Sequence, residues 1–207
     1  MRYGNKVTHE QLQDDRWIFT WSGRQFWPFN PQAEDIAIED IAAALSHLCR
    51  FGGHSRYFYS VAQHCVHVAD LLEAEGAHVA LYGLLHDAPE AYLLDLPRPI
   101  KRSRELAPYR EAERRIMEAI RDAFDLEPTP PQALGWADEA VLATEVRDVM
   151  NEHIASQWVL STNALPLRIE PWEPEYARCA FLSRFESLIT KREAAQLESS
   201  GSQAAVR

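Results

Sequence analysis

Residues 79–87, Val-Ala-Leu-Tyr-Gly-Leu-Leu-His-Asp, are the most informative stretch of this chain of 207 residues. The apolar run up to Leu85 predicts a helix in the core, and that helix ends in an adjacent histidine and aspartate. This pair is a poor end for a core helix, but imidazole and carboxylate groups suit divalent first-row metals such as Mn, Co, Fe or Zn. The stretch therefore predicts a helical core that carries part of a metal site at His86 and Asp87.

Two further candidate ligands lie on other predicted helices. His64 lies in the helical segment that follows Ser60, and Asp138 stands at the head of an apolar-periodic segment. Side chains from separate helices can converge on a metal inside a helical bundle. Two alternatives stay open: His64 as a hydrogen-bonded core histidine, and Asp138 as an acidic charge that interacts with a helix dipole.

The rest of the chain predicts one all-α domain with a small β-hairpin at its front. Aromatic and β-branched residues around a Ser22–Arg24 turn predict a hairpin over about 16–29, either as a flap packed on the core or as a substrate lid. Apolar spacing predicts a helical core over about 36–198. We expect helices at about 39–51 (ended by Gly52 and Gly53), 59–75, 78–91, 103–124, 134–158 and 175–197. The domain would span 1–198, with a disordered tail at 199–207.

The net charge, the length of the apolar runs and the cysteine pattern argue against several functional classes. The formal net charge is −10 and the pI is near 5.3, which argues against a nucleic-acid-binding protein. No apolar run is long enough to span a membrane, and the amino terminus lacks the apolar stretch of a signal peptide. The three cysteines form no CxxC motif. They predict reduced thiols in a cytoplasmic protein.

The order H…HD…D resembles that of the HD-domain superfamily of metal-dependent phosphohydrolases. The segments 86–90 (HDAPE), 95–101 (DLPRPIK) and 49–54 (CRFGGH) are similar to the group that contains a bacterial 5′-deoxynucleotidase and phage dATP triphosphohydrolases. The similar segments lie between about residues 17 and 150. This resemblance implies an all-α HD domain that binds one divalent ion, which could be Co, Mn, Zn, Fe or Mg. The implied metal ligands are His64, His86, Asp87 and Asp138.

The resemblance also implies that Glu90 and Asp95 are catalytic. On a continuous helix Glu90 would share a face with His86 and could exchange protons with water or a leaving group. The alternatives are a solvated charge in the last helical turn for Glu90 and a turn residue for Asp95.

Arginine is the side chain best suited to bind a phosphate through two hydrogen bonds. Arg50, expected at a helix end before Gly52, is the first candidate, and the resemblance implies an arginine at about this position. Weaker candidates for contact with the substrate are His54, for which a loop histidine that caps the turn is the alternative, and Arg24, Arg56 and Lys101, for which a solvated surface position is the alternative.

These observations predict a metal-dependent phosphohydrolase that acts on deoxynucleoside 5′-phosphates, with mono- and triphosphate substrates both open. We expect a small-molecule nucleotide as substrate, a homo-oligomer, and no membrane or nucleic-acid partner. One alternative is a cyclic-nucleotide phosphodiesterase of the HD type, in which His67 and His54 would bind a second metal. The other is an inactive metal- or nucleotide-binding regulator, which the presence of Glu90 and Asp95 argues against.

Overall fold

A computed structural model of the chain describes residues 16–204, with side chains described up to residue 198. Residues 1–15, which include the amino terminus considered for a signal peptide, lie outside this range. The predicted all-α fold with a small hairpin is confirmed. In chain order the elements are β1 (Ile18–Phe19), β2 (Gln25–Phe26), α1 (Ile38–His47), α2 (Val61–Leu72), α3 (Ala77–Leu85), α4 (Glu90–Leu93), α5 (Arg98–Lys101), α6 (Ala107–Phe124), α7 (Gln132–Val149), α8 (Glu152–Ala155) and α9 (Pro174–Ala204).

The core is built around α2 and α3, and α9 packs against both of them and against α1. Gly83 lets α3 approach α2 closely, because a Cβ at this position would lie 2.6 Å from Cδ1 of Leu72 and 3.4 Å from Cγ1 of Val68. This approach brings the end of α3 next to the first turns of α2. The two histidines at these places, His86 and His64, therefore come together.

The helix expected over residues 78–91 is interrupted just after the apolar run. It ends at Leu85, and α4 begins at Glu90. Pro89 explains the break, because it has no amide hydrogen and its ring clashes with the carbonyl four residues earlier. Tighter hydrogen bonds replace the helical ones, from Ala88 N to Leu85 O and from Glu90 N to Asp87 O, each 3.0 Å long. The His86–Asp87 pair thus lies in a compact turn.

The helix expected over 134–158 is also shorter in the structure. It ends at Val149, Met150 is extended, and the side chain of Asn151 begins α8 by accepting a hydrogen bond from His153 N at 2.9 Å. A residue whose side chain caps a new helix competes with continuation of the old one.

The disordered tail at 199–207 stays a prediction, and α9 extends to Ala204. Adding a residue to a helix that already exists costs little, so a long helix extends into a serine-rich segment. The last three residues of the expected tail, 205–207, lie outside the described range.

The hairpin is fixed to the core, as the flap interpretation expects. Ile18 pairs with Phe26 and Phe19 with Gln25, and Thr20 N donates to Arg24 O at 2.9 Å. The turn between this last pair has three residues, 21–23, as predicted, but it lies one position earlier than Ser22–Arg24. The buried carboxylate of Asp40 in α1 accepts hydrogen bonds from Ser22 N at 2.6 Å and Ser22 Oγ at 2.9 Å. The fully buried ring of Phe26 stacks on Tyr92 of α4, with 3.9 Å between the ring centroids.

Among the described residues, no helix has both the length and the apolar character that crossing a bilayer requires.

Replacement of Asp40 tests the anchoring of the hairpin. We expect Asp40→Ala to lower the free energy of unfolding by about 1–3 kcal/mol, because the backbone amide and hydroxyl of Ser22 lose a charged acceptor. Urea unfolding of the full chain measures the change. Glu39→Ala, which removes an exposed carboxylate from the same helical turn, is the control. Equal stability of the two variants would show that Asp40 does not anchor the hairpin.

Candidate metal centre

His64 lies in the first turns of α2 with both ring nitrogens engaged. Ser60 begins this helix by accepting a hydrogen bond from Gln63 N at 3.1 Å. Nδ1 of His64 lies 2.7 Å from Oε1 of Glu145, a fully buried carboxylate on α7. Because the carboxylate accepts the Nδ1 proton, the lone pair of the neutral ring is on Nε2.

His86 is oriented in the same way by a different acceptor. Its Nδ1 lies 2.7 Å from the carbonyl oxygen of Gly83, one turn earlier in α3. Its Nε2 therefore carries the lone pair of the neutral ring and lies 3.4 Å from Nε2 of His64. The two imidazoles present the same kind of atom to one point.

Two carboxylates complete the group. Oδ2 of Asp87 lies 3.3 Å from Nε2 of His86 and 3.6 Å from Nε2 of His64. On α7, Oδ1 of Asp138 lies 3.2 Å from Nε2 of His64 and 4.0 Å from Nε2 of His86. Asp138 is thus close to both imidazoles and is not simply a charge at a helix start.

The spacing of these atoms fits a small divalent cation. Metal–ligand bonds of about 2.1 Å at tetrahedral angles place neighbouring ligand atoms about 3.4 Å apart. Among the described residues, the ligand atoms of His64, His86 and Asp87 all lie within 4.8 Å of one another, so these residues can hold a metal ion. Neutral imidazole nitrogens and the carboxylate oxygens that face them repel unless a positive charge, either a proton or a metal ion, lies between them, which makes the cluster a candidate metal centre.

The electrostatics of the cluster favour anionic carboxylates. Burial alone would raise the pKa of Asp87, but the positive charge that His86 can carry holds it well below its usual range. Burial also opposes ionisation of Asp138, yet the hydrogen bond to His64 lowers the pKa of Asp138 to about 2. Both groups are therefore ionised at neutral pH and available as ligands.

The pKa values of the two histidines are raised. Burial lowers the pKa of His86, but the charge and hydrogen bond of Asp87 outweigh it, and the pKa lies well above the usual value. Burial lowers the pKa of His64 as well, while the charge of Glu145 and the hydrogen bond to Asp138 raise it further than burial lowers it. Protons and a metal ion therefore compete for the same Nε2 atoms.

The structure places Arg50 beside the candidate ligands, although not at the predicted helix end. The first helix ends at His47, because Arg50 N donates to Tyr59 O at 2.9 Å and Val61 N donates to Leu48 O at 3.0 Å. This short backbone pairing replaces the last helical bonds. It is followed by a tight turn in which Phe51 has a φ of 60°.

The guanidinium of Arg50 is nearly buried between two carboxylates. One terminal nitrogen donates to Oε2 of Glu145 at 3.1 Å, and the other lies 3.6 Å from Oδ2 of Asp87. Burial lowers the pKa of Arg50, but Glu145 and Asp87 outweigh burial, and the guanidinium stays charged. Glu145 thus contacts both His64 and Arg50.

Glu90 is buried, which contradicts the alternative of a solvated charge. It is the first residue of α4, and its Oε2 is buried without a hydrogen-bond partner among the described residues. Burial, followed by the negative charges of Asp87 and Asp95, raises the pKa of Glu90 well above its usual value. Burial and the charge of Asp87 likewise raise the pKa of Asp95, while Arg50 opposes the shift. Both carboxyl groups therefore lie within electrostatic range of the cluster.

The weaker candidates for substrate contact lie further out. Lys101 forms an ion pair with Glu113, and its pKa, which burial lowers, is raised by this partner and then by Glu90 and Asp87. Arg56 instead donates to the backbone oxygen of Asp148 at 2.8 Å. Arg24 and His54 are exposed, and neither forms a hydrogen bond or ion pair with a candidate ligand in the described part of the chain.

Two residues that lie next to the cluster, Glu145 and Arg98, were not predicted as site residues. Glu145 lies seven residues after Asp138, two turns along the same face of α7, so helical spacing could have indicated it. Arg98, in the DLPRPIK segment, donates to Oε1 of Glu139 at 2.8 Å and lies 3.8 Å from Oδ2 of Asp138. No pattern in the sequence distinguishes Arg98 from the other arginines near it.

The fold and the cluster define an all-α protein with a candidate centre for a divalent metal. No family model matches the chain. YfdR of Escherichia coli strain K12, an uncharacterized protein, is 38% identical over 182 residues, which cover 86% of this chain and 98% of YfdR. RCAP_rcc00048 of Rhodobacter capsulatus, also uncharacterized, is 30% identical over 190 residues, which cover 84% of this chain and 95% of that protein. The chain therefore belongs to the family of these two proteins.

Glu145→Gln tests how far the second contact of His64 supports metal binding. We expect metal affinity to fall about 10- to 100-fold, because the imidazole loses its charged acceptor and Arg50 is left to pair with the ligand Asp87. Calorimetric titration with Co²⁺ measures the affinity. Glu152→Gln, at an exposed glutamate on α8, is the control. Unchanged affinity in Glu145→Gln would show that Glu145 is only a structural partner of Arg50.

Metal affinity should also rise with pH. A protonated imidazole cannot bind a metal, and the pKa values of His64 and His86 lie above the ordinary value of about 6.5. Raising the pH from about 6 to 8 moves toward these raised pKa values and lowers the protonated fraction of the imidazoles. The apparent Kd for Co²⁺ should therefore decrease across this interval, and a constant Kd would contradict metal binding at the imidazoles.

Proposed function

We propose that this protein is a divalent-metal-dependent phosphohydrolase of the HD-domain superfamily and that it acts on nucleotides, specifically deoxynucleoside 5′-phosphates. The main support is the convergence of two imidazole Nε2 atoms and two carboxylates next to a buried guanidinium and a buried, unpaired carboxyl group. Metal ligands, a fixed cation and an acid–base group are the components that phosphoryl-transfer sites combine.

His64, His86, Asp87 and Asp138 would hold one divalent ion, which could be Co, Mn, Zn, Fe or Mg. The ligand atoms of His64, His86 and Asp87 lie within 4.8 Å of one another, and Oδ1 of Asp138 lies 3.2 Å from Nε2 of His64. The nitrogen–oxygen donor set suits several of these metals. When bound, the ion supplies the Lewis acidity that activates water and a phosphoryl oxygen.

Arg50 would neutralise the negative charge that develops on the phosphoryl group. Its guanidinium is held at one nitrogen by Glu145, and it lies beside Asp87 at the edge of the ligand cluster. Because the group is already oriented and almost dehydrated, little reorganisation is needed when charge develops near it.

Glu90 would donate a proton to the leaving oxygen. An acid catalyst must carry a proton, and the pKa of Glu90, which is raised well above its usual value, favours the protonated form. The charge of Asp95 is one of the influences that raise the pKa of Glu90. We assign Asp95 the role of maintaining this proton and orienting water.

The same geometry bears on the two alternative functions. A phosphodiesterase with two metals needs a second ligand group, but His67 lies against Gln63 and Trp172, and His54 is exposed. Among the described residues a single group of three or more such side chains is close enough to hold an ion. An inactive regulator has no need of the buried, unpaired carboxyl group of Glu90.

We further propose a cytoplasmic homo-oligomer with a small-molecule nucleotide as substrate. Cys49, Cys65 and Cys179 are all free thiols, which supports a reducing compartment.

A nucleotide screen with the Asp87→Ala variant tests the proposed activity. After chelation and reloading with Mn, Co or Mg, the wild-type chain should release phosphate, pyrophosphate or triphosphate from deoxynucleotides, which phosphate detection and chromatography identify. Asp87→Ala should lose metal binding and hydrolysis, because Asp87 is a ligand, and keep its circular dichroism spectrum. Full hydrolysis by the chelated protein and by Asp87→Ala would contradict the proposal, as would hydrolysis confined to cyclic nucleotides.

Replacement of Glu90 by glutamine tests whether Glu90 donates a proton during hydrolysis. We expect turnover to fall about 10²- to 10⁴-fold, because glutamine keeps the shape of the side chain but cannot transfer a proton. Metal content should stay at the wild-type value, since Glu90 is not a ligand. Glu193→Gln, which removes an exposed carboxylate on α9, is the control. Turnover near that of the wild type would remove Glu90 from the mechanism.

A further inference from the structure

We propose that Arg98, at the edge of the metal centre, binds a phosphate group of the substrate. This inference rests on the proposed function, and it assigns the phosphate contact to a residue that the sequence patterns did not indicate.

The carboxylate of Asp138 connects Arg98 to the candidate metal ligands. Its Oδ1 lies 3.2 Å from Nε2 of His64, and its Oδ2 lies 3.8 Å from a terminal nitrogen of Arg98. A single carboxylate group thus separates the guanidinium from the ligand atoms. A phosphate held at the ligand cluster would be within reach of a side chain as long as arginine.

Arg50 is less free to bind a phosphate through two hydrogen bonds. It is almost buried, and its two terminal nitrogens already face Glu145 and Asp87. Separating a buried guanidinium from such partners costs several kcal/mol. Arg50 therefore serves better as a fixed charge than as a group that exchanges partners.

Arg98 has the opposite properties. Its side chain is 50% exposed, and its partner Glu139 is 27% exposed. Ion pairs at such positions contribute little, so Arg98 can leave Glu139 at small cost. A phosphate offers it two oxygens in the planar geometry that a guanidinium prefers.

The backbone around Arg98 is well positioned for this role. Pro97 and Pro99 flank it, and the carbonyl of Pro97 accepts hydrogen bonds from Ile100 N at 2.8 Å and Lys101 N at 3.0 Å. The ring of Pro97 lies near Gly52 in the turn that follows Arg50. A Cβ placed on Gly52 would be 3.8 Å from Cγ of Pro97. The backbone hydrogen bonds fix the Cα position of Arg98, and its partly exposed side chain is long enough to extend from there to a phosphate group.

Phosphate binding by the metal-loaded full chain tests the assignment without requiring turnover. Inorganic phosphate is titrated calorimetrically into wild type, Arg98→Ala, Arg98→Lys and the control Arg102→Ala, which removes an exposed arginine four residues along. We expect Arg98→Ala to weaken phosphate binding about 10- to 100-fold, the usual effect of losing a charge-assisted hydrogen bond. Arg98→Lys should recover only part of the loss, and Arg102→Ala should bind as the wild type does.

Glu139→Gln separates phosphate binding from a structural ion pair. If Arg98 binds phosphate, release from Glu139 leaves the affinity unchanged or increases it. If Arg98 only pairs with Glu139, the phosphate affinity of Glu139→Gln should fall as much as that of Arg98→Ala, and the inference is overturned. It is also overturned if the wild type binds no phosphate or if Arg98→Ala binds phosphate as tightly as the wild type.

The outcomes also distinguish this inference from the proposed function. A wild-type chain that binds phosphate through Arg98 but hydrolyses no nucleotide contradicts the proposed function alone. A chain that hydrolyses nucleotides with an unchanged KM in Arg98→Ala contradicts the role of Arg98 alone.

Discussion

The arrangement of two imidazole rings with their Nε2 atoms 3.4 Å apart is the constraint on which the site depends. Each ring is fixed at its other nitrogen, His64 by the carboxylate of Glu145 and His86 by the carbonyl of Gly83. Two neutral rings held in this way direct lone pairs at each other, which is unfavourable without a positive charge between them. The two acceptors outside the cluster, Glu145 and the carbonyl of Gly83, thus orient the imidazoles so that a positive charge between them is favourable.

The fold brings these acceptors together through features that are unfavourable elsewhere in a helical protein. Gly83 weakens α3 but allows the close approach of α2. Pro89 interrupts a helix and thereby turns Asp87 toward the imidazoles and Glu90 into the protein interior. The backbone pairing of 48–50 with 59–61 ends α1 early and places Arg50 beside Glu145. Gly83 thus brings His86 close to His64. The break at Pro89 positions Asp87 and Glu90, and the backbone pairing positions Arg50.

The sequence predicted the helical class, the hairpin and the residues that converge on the centre, because helical spacing and the chemistry of histidine and aspartate are local signals. It did not predict the break at Pro89 within the apolar segment, nor the early end of the first helix, which depends on pairing with residues about ten positions away. The spacing of seven residues from Asp138 could have indicated Glu145, but its role depends on His64 and Arg50, which only the fold brings to it. Arg98 was hidden because its neighbour Asp138 is distant in sequence.

The bond between His64 and Glu145 joins residues that are 81 positions apart, and this separation affects how the chain folds. No short fragment contains both partners, so the oriented imidazole exists only after α2 and α7 have docked. An ion that requires this orientation binds the native chain and not the unfolded one. At a concentration 1,000 times its Kd such an ion would add about 4 kcal/mol to the stability of the folded state. The abundance of a folded chain of this kind would therefore follow the supply of metal in its surroundings.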